Sequence, residues 1–275
     1  MKEFFGWGGY TREPEGYLSW QHLCFVTFLM LAMVALAVVL GRKNASRTNA
    51  QKNRVLIVSA ILIDAIELFK IVLLCFRAGD PWDFLYSLPL FLCSIQLIAL
   101  PVAAFSKEGT FKHAALDFVF IFGILGALLG TYAAGNNYAS YPVLGFDNVV
   151  SGITHAIAGF SSLYIALSGM ASMKKKNIPI TFGILFFFCI AAAIANALLD
   201  YNYMFLVRGD GTPYDIVYNL VGGNPILYPI GVVLLFVLYI LAFYGVFYLI
   251  ASRRKAPTAP ETSEAPEPVQ EETPV

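Results

Sequence analysis

The sequence predicts an all-α protein, a polytopic membrane bundle of seven transmembrane helices with the N-terminus outside and the C-terminus in the cytoplasm. Three observations predict it. The composition suits a lipid solvent: 58% of residues are hydrophobic and 13% charged, and mean hydropathy is +0.69, whereas a soluble domain is about a quarter charged. Seven runs approach the roughly 20 apolar residues that a helix needs to cross a bilayer. Lys and Arg gather in alternate connections between those runs.

The runs are 18–41, 54–77, 84–105, 113–134, 148–171, 178–199 and 224–250. Residues 1–17 form an extracellular segment without a cleavable signal pattern, so the first run is expected to be retained. The 42–54 connection carries Arg42, Lys43, Arg47, Lys52 and Arg54. Lys107 and Lys112 follow the third run, Lys174, Lys175 and Lys176 the fifth, and Arg253, Arg254 and Lys255 the last. The other connections hold Arg77 alone, no basic residue, and Arg208 alone. The transmembrane domain is 18–250. Residues 251–275, rich in Pro, Glu, Thr and Ala, read as a disordered cytoplasmic tail. The 200–223 connection is the longest outer one, holding Tyr201, Tyr203, Tyr214 and Tyr218, and is expected to cover the outer mouth. Its Arg208-Gly209-Asp210 reads as a turn rather than an adhesion motif. A multi-pass protein of the bacterial plasma membrane, with membrane lipid as its partner, is the expectation. A formal net charge of zero gives no case for nucleic acid.

Polar residues inside apolar spans default to a functional hypothesis. At about 1.5 Å per helical residue, Glu67, Cys93 and His155 fall in one layer roughly 10–15 Å below the outer boundary. Gln96 lies three residues after Cys93, on the same face of a helix. His22, Asn196 and Asp200 lie above that layer, and His113 and Asp117 near the inner boundary. Polar groups from five spans thus gather in the outer half, as around a cavity open to water or headgroups. Plain alternatives stand beside each. Ser151, at i−4, would satisfy His155, and Asp64 and Lys70 flank Glu67 as a charge-paired stripe. Cys24, Cys75 and Cys189 read as small packing residues, with a Cys24–Cys75 disulfide conceivable. No Cys/His spacing suggests a metal, and no cofactor is implied.

A thiol becomes a nucleophile beside a base, and the base needs a group to orient it. Cys93, His155 and one of Glu67, Asn196 or Asp200 supply those types. Such a site would attack an acyl ester of a phospholipid, making the chain an acyltransferase or acyl-ester hydrolase. The alternative is a non-enzymatic binder or transporter of a small polar molecule, with Glu67, Gln96, His155 and Asn196 as its ligand site.

Leu88-Pro89-Leu90-Phe91-Leu92-Cys93 resembles the Leu-Pro-Leu-His-Leu-Cys signature of the YwaF-like bacterial integral membrane proteins, which are similar to eukaryotic transmembrane protein 164. Trp20-Gln21-His22-Leu23, Asp80-Pro81-Trp82, Gly152-Ile153-Thr154-His155, the Asn196 to Met204 stretch and Gly223-Asn224-Pro225 agree in order and spacing. The resemblance covers nearly all of 18–250. It implies seven spans, and a phospholipid acyltransferase with Cys93 as nucleophile and His155 as its partner. Within the resembling stretches, His22 and Tyr203 join Glu67, Gln96, Asn196 and Asp200 as candidate substrate contacts. Phe91 stands where the family signature has His.

Overall fold

In a computed structural model the chain is a helical bundle, with no strand among the described residues, 1–253. The expected tail lies outside them from residue 254 on. The helices are α1 (Trp20–Asn44), α2 (Asn49–Ala78), α3 (Gln96–Phe105), α4 (Thr110–Tyr132), α5 (Gly135–Ser140), α6 (Phe146–Leu167), α7 (Ile178–Leu199), α8 (Asp215–Leu220) and α9 (Leu227–Arg253).

Five helical stretches are long and apolar enough to cross a membrane: Trp20–Asn44, Thr110–Ser140, Phe146–Leu167, Lys175–Leu199 and Leu227–Ser252. Their outer faces remain apolar. Phe28 and Leu31 on α1, Ile190 and Ile194 on α7, and Leu234 and Leu238 on α9 are all exposed. Whole helix faces of this kind belong in lipid. Inward, α1 buries a single stripe of His22, Val26, Met30, Met33, Ala37 and Gly41. On α9 the buried stripe is Tyr228, Val232, Phe236, Ile240 and Tyr244. Both recur at the three-to-four-residue spacing of one helix face.

The centre is α4 against α6, with α1 packed on α6 and touching α4, and α3 against α4. Small residues allow the close approach. A Cβ on Gly123 would lie 2.7 Å from the Ala158 carbonyl oxygen, and one on Gly152 would lie 2.7 Å from Leu29. Lipid supplies no hydrophobic drive between helices, so such contact carries their association.

The third expected span differs from the expectation. Instead of one helix over 84–105, the chain makes a 3-10 turn at Asp83–Ser87, then an irregular stretch, and only then α3. The 10 residues of α3 rise about 15 Å, half of a hydrocarbon core of about 30 Å. Pro89 is the cause: it has no N–H and keeps the residue before it out of the helical region. Leu88 accordingly sits at φ −60°, ψ 146°. The side chain of Ser94 closes the turn that follows, accepting from Phe91 N–H (3.0 Å) and donating to Phe91 O (3.1 Å). Cys93 therefore lies in a turned segment leading into α3, not within a long helix. The other exception is α2, whose 30 residues include Asp64, Glu67 and Lys70 amid the apolar run.

Each end of the bundle has a polar fastening. At the end bearing the N-terminus, residues 1–17 fold back over the helices rather than standing free. Arg77 Nη1 is 2.7 Å from Asp147 Oδ2, and the Tyr10 hydroxyl donates to the same oxygen at 2.6 Å. Burial and then the Asp147 carboxylate push Tyr10 up to about 12, so it stays a donor at neutral pH. Phe4 and Phe5 pack on Phe146. At the other end Asp117, fully buried, accepts from Ser172 N–H (3.1 Å), Met173 N–H (3.0 Å) and Asn177 Nδ2 (2.7 Å). Asp117 thus ties the α6–α7 connection to α4. Arg208 pairs with Asp210 (2.6 Å) across a turn, as the Arg-Gly-Asp stretch predicts.

Candidate functional site

Cys93 and His155 come from different parts of the chain and meet on one face of α4. The backbone of Cys93 packs on Gly126, where an added Cβ would lie 3.3 Å from Cys93 Cα and Cβ. One turn further along α4, the His155 imidazole lies against Gly130, and an added Cβ there would overlap the ring. Two glycines four residues apart thus form a flat shelf that brings α3's leading turn and α6 together. Cys93 and the imidazole thus rest against the same face of α4, one helical turn apart. Cys93 is half-buried.

Nδ1 of His155 lies 2.7 Å from the carbonyl oxygen of Ser151, one turn earlier on α6, and 3.4 Å from its hydroxyl. A carbonyl can only accept, so Nδ1 carries the ring proton. The lone pair is then on Nε2, which is buried and has no hydrogen-bond partner. The partner of His155 is therefore Ser151, the plain alternative that the sequence offered at i−4, and not Glu67, Asn196 or Asp200. A backbone carbonyl sets the tautomer as well as a carboxylate does.

Gln96 begins α3 and is 1% exposed. Neither its Nε2 nor its Oε1 has a partner. The remaining sequence candidates do other work. Glu67 is paired with Lys70 at 2.9 Å, within α2. Asn196 spends both amide atoms on the Tyr203 backbone, accepting from its N–H at 2.6 Å and donating to its carbonyl at 3.0 Å. Asp200 is an exposed left-handed residue, φ 48°, that ends α7. His22, fully buried, accepts from Leu18 N–H (3.2 Å) and bonds the Thr131 carbonyl (3.1 Å), with its ring on Tyr138. It ties α1 to α4. Tyr203 acts at one remove: its hydroxyl donates to Leu85 O and accepts from Leu88 N–H (3.3 Å). It holds the start of the segment that carries Cys93.

Phe91 packs into an aromatic group with Tyr201, Tyr203 and Phe205, ring centroids 5.2–6.3 Å away. The 200–223 connection thus reaches down to this segment, as expected of a cover. Tyr214 from the same connection lies near Cys93 and stacks on Phe205 at 5.4 Å. Burial pushes its phenol up to about 12. Sequence reading missed Gly126, Gly130 and Tyr214 as site residues. A pair of glycines four apart on one helix face was the available signal for the first two. All four cysteines are free, so Cys24 and Cys75 form no disulfide. Cys189 lines an apolar groove of about 320 Å³ between α7 and α9, with Ile190, Leu206 and Val233, and no histidine.

The family model described as the TMEM164 family matches residues 17–254. No curated protein and no solved structure matches the chain. The matched region spans both Cys93 and His155 and well over half of the 275 residues. The chain belongs to the TMEM164 family.

Proposed function

We propose that this membrane protein is a thiol-dependent acyltransferase or acyl-ester hydrolase acting on phospholipid, with Cys93 as nucleophile and His155 as general base. The carrying observation is that Cys93 and the His155 imidazole rest on glycines one turn apart on α4, with Nδ1 committed to Ser151 and Nε2 buried and free of any partner among the described residues. That arrangement is what nucleophilic acyl transfer requires: a thiol, a base in reach, and a group that orients the base. Phe91, where the family signature has His, leaves the base role to His155.

The steps follow. His155 Nε2 takes the Cys93 proton, and Sγ bonds to the ester carbonyl carbon. The tetrahedral intermediate expels the lipid alkoxide, which takes that proton from His155 and leaves as a lysophospholipid. An incoming hydroxyl, from a second lysophospholipid or from water, then attacks the thioester. His155 accepts its proton and returns it to Sγ as the thiol is released.

In the bilayer, the bundle accounts for seven crossings if α2 spans despite its charges and the segment 83–105 makes one broken crossing. The basic residues of 42–54, 106–112 and 172–177 all fall at one end, which the positive-inside rule places in the cytoplasm. The site end, with the N-terminus, then faces outward, and the membrane is the plasma membrane of a bacterium. The small-molecule binder draws less support. Of its proposed ligand groups, Glu67 is held by Lys70 and Asn196 by Tyr203.

Acyl exchange between phosphatidylcholine and a labelled lysophospholipid in proteoliposomes tests the proposal. Cys93→Ala and His155→Ala are each expected to fall to the protein-free background while keeping the wild-type melting transition. Exchange undiminished in both variants would refute the proposal.

A further inference from the structure

We propose that the carboxamide of Gln96, together with the backbone N–H groups of Cys93 and Ser94, forms the hole that holds the carbonyl oxygen of the acyl group under attack. This deepens the acyl-transfer proposal and rests on it. Three observations place the oxygen there.

The first is the burial of Gln96. It is 1% exposed, and its donor and acceptor atoms are both buried without a partner. A buried amide is costly unless something bonds to it. Among the described residues nothing does, so the vacant donor points to a ligand. The second is position. Ile95 N–H bonds Phe91 O (2.9 Å), Leu97 N–H bonds Ser94 O (3.0 Å) and Ala99 N–H bonds Ile95 O (2.8 Å). The chain therefore turns helically from Phe91 onward into α3. Residues three apart in such turns share a face, which puts Gln96 one turn from Cys93 on the thiol's side. The third is the backbone. The N–H groups of Cys93 and Ser94, the thiol's own residue and the next, donate to no backbone or side-chain acceptor among the described residues. They stand at the N-terminal end of α3, where free N–H groups and the helix dipole favour negative charge.

The charge develops where these donors converge. As Sγ bonds to the carbonyl carbon, the π pair moves onto the carbonyl oxygen, while the thiol proton resides on His155 Nε2. The oxyanion accepts from the Gln96 amide and the two N–H groups. When the pair returns, the carbon–oxygen bond to the leaving alcohol breaks and that oxygen takes the proton from His155. Donors fixed in a water-poor site are worth most at this step.

The test compares two electrophiles on the full-length protein in proteoliposomes. A phospholipid ester acylates Cys93 through an oxyanion. Iodoacetamide alkylates the same sulfur by displacing iodide at a saturated carbon, with no oxyanion. Gln96→Met removes the amide and keeps an unbranched chain of similar length. Acylation is expected to slow by about 10²–10³-fold, with alkylation within about twofold of wild type. Gln96→Leu, a neutral side chain with no donor, is expected to show the same selective loss and serves if the Met variant fails to fold. Unchanged acylation would overturn the oxyanion role alone. Equal slowing of both reactions would also overturn it, because Gln96 would then only place the thiol. A wild-type Cys93 that alkylates but is never acylated would defeat the acyl-transfer proposal itself.

Discussion

Gly130→Ala is expected to reduce acyl exchange by about a hundredfold while the protein remains folded and inserted. The methyl group would occupy the space of the His155 imidazole. Drawing α4 away from α6 would open the close contact that Gly123, seven residues earlier, makes with the Ala158 carbonyl. The ring must move instead, breaking either its alignment with Cys93 or its bond to Ser151. A displacement of about 1 Å in a reacting group costs about 10²-fold in rate. Gly126→Ala is the graded companion. Its methyl would sit 3.3 Å from Cys93 Cα and Cβ, a tight contact that a few tenths of an ångström relieve. It should slow exchange less than Gly130→Ala does. Exchange rates of the two variants, normalised to folded protein, check the order. Full activity in Gly130→Ala would show that the imidazole does not work from where it lies.

Asp147→Ala is expected to lower stability by about 3–5 kcal/mol, the cost of leaving the other half of a mostly buried ion pair uncompensated. Asp147 and Arg77 side chains are 8% and 17% exposed. Asp147 also receives the Tyr10 hydroxyl, and Arg77 lies over the Tyr10 ring at 5.7 Å. One carboxylate therefore joins the end of α2, the start of α6 and the N-terminal segment. Arg77→Met with Asp147→Leu removes both charges and should recover most of the loss, since no charge is left buried alone. Thermal unfolding in a fixed detergent measures both. A single variant as stable as wild type would show that the pair is solvated in the membrane-bound protein.

The class of the fold was legible because lipid imposes it: apolar runs in the sequence became the long helices α1, α4, α6, α7 and α9. Less legible was the third run. Leu88-Pro89 carried the break in plain view, but hydropathy alone averages over it, and a run of apolar residues looks the same whether it is helical or turned. In the site, Cys93 and His155 could be named because polar groups are rare in apolar spans. Ser151 could be named as His155's partner from the i−4 spacing, but the surface beneath both could not, because the shelf of Gly126 and Gly130 is defined by absent side chains. Depth counting also could not tell a free polar side chain from a committed one. His22 and Asn196 lie near the site's end of the bundle, yet their ring and amide atoms are committed to backbone partners. Gln96, close by in the chain, has none.

The central claim is that the acyl group passes through Cys93. Wild-type protein incubated briefly with phospholipid and no added lysophospholipid, quenched in acid before water clears the thioester, then digested and weighed, tests it. The expected product is a Cys93 peptide heavier by one acyl group, released by neutral hydroxylamine as a thioester is. The adduct should be absent in Cys93→Ala and form far more slowly in His155→Ala. Acyl exchange that proceeds at the wild-type rate in Cys93→Ala, or an adduct on Cys189 with none on Cys93, would contradict it.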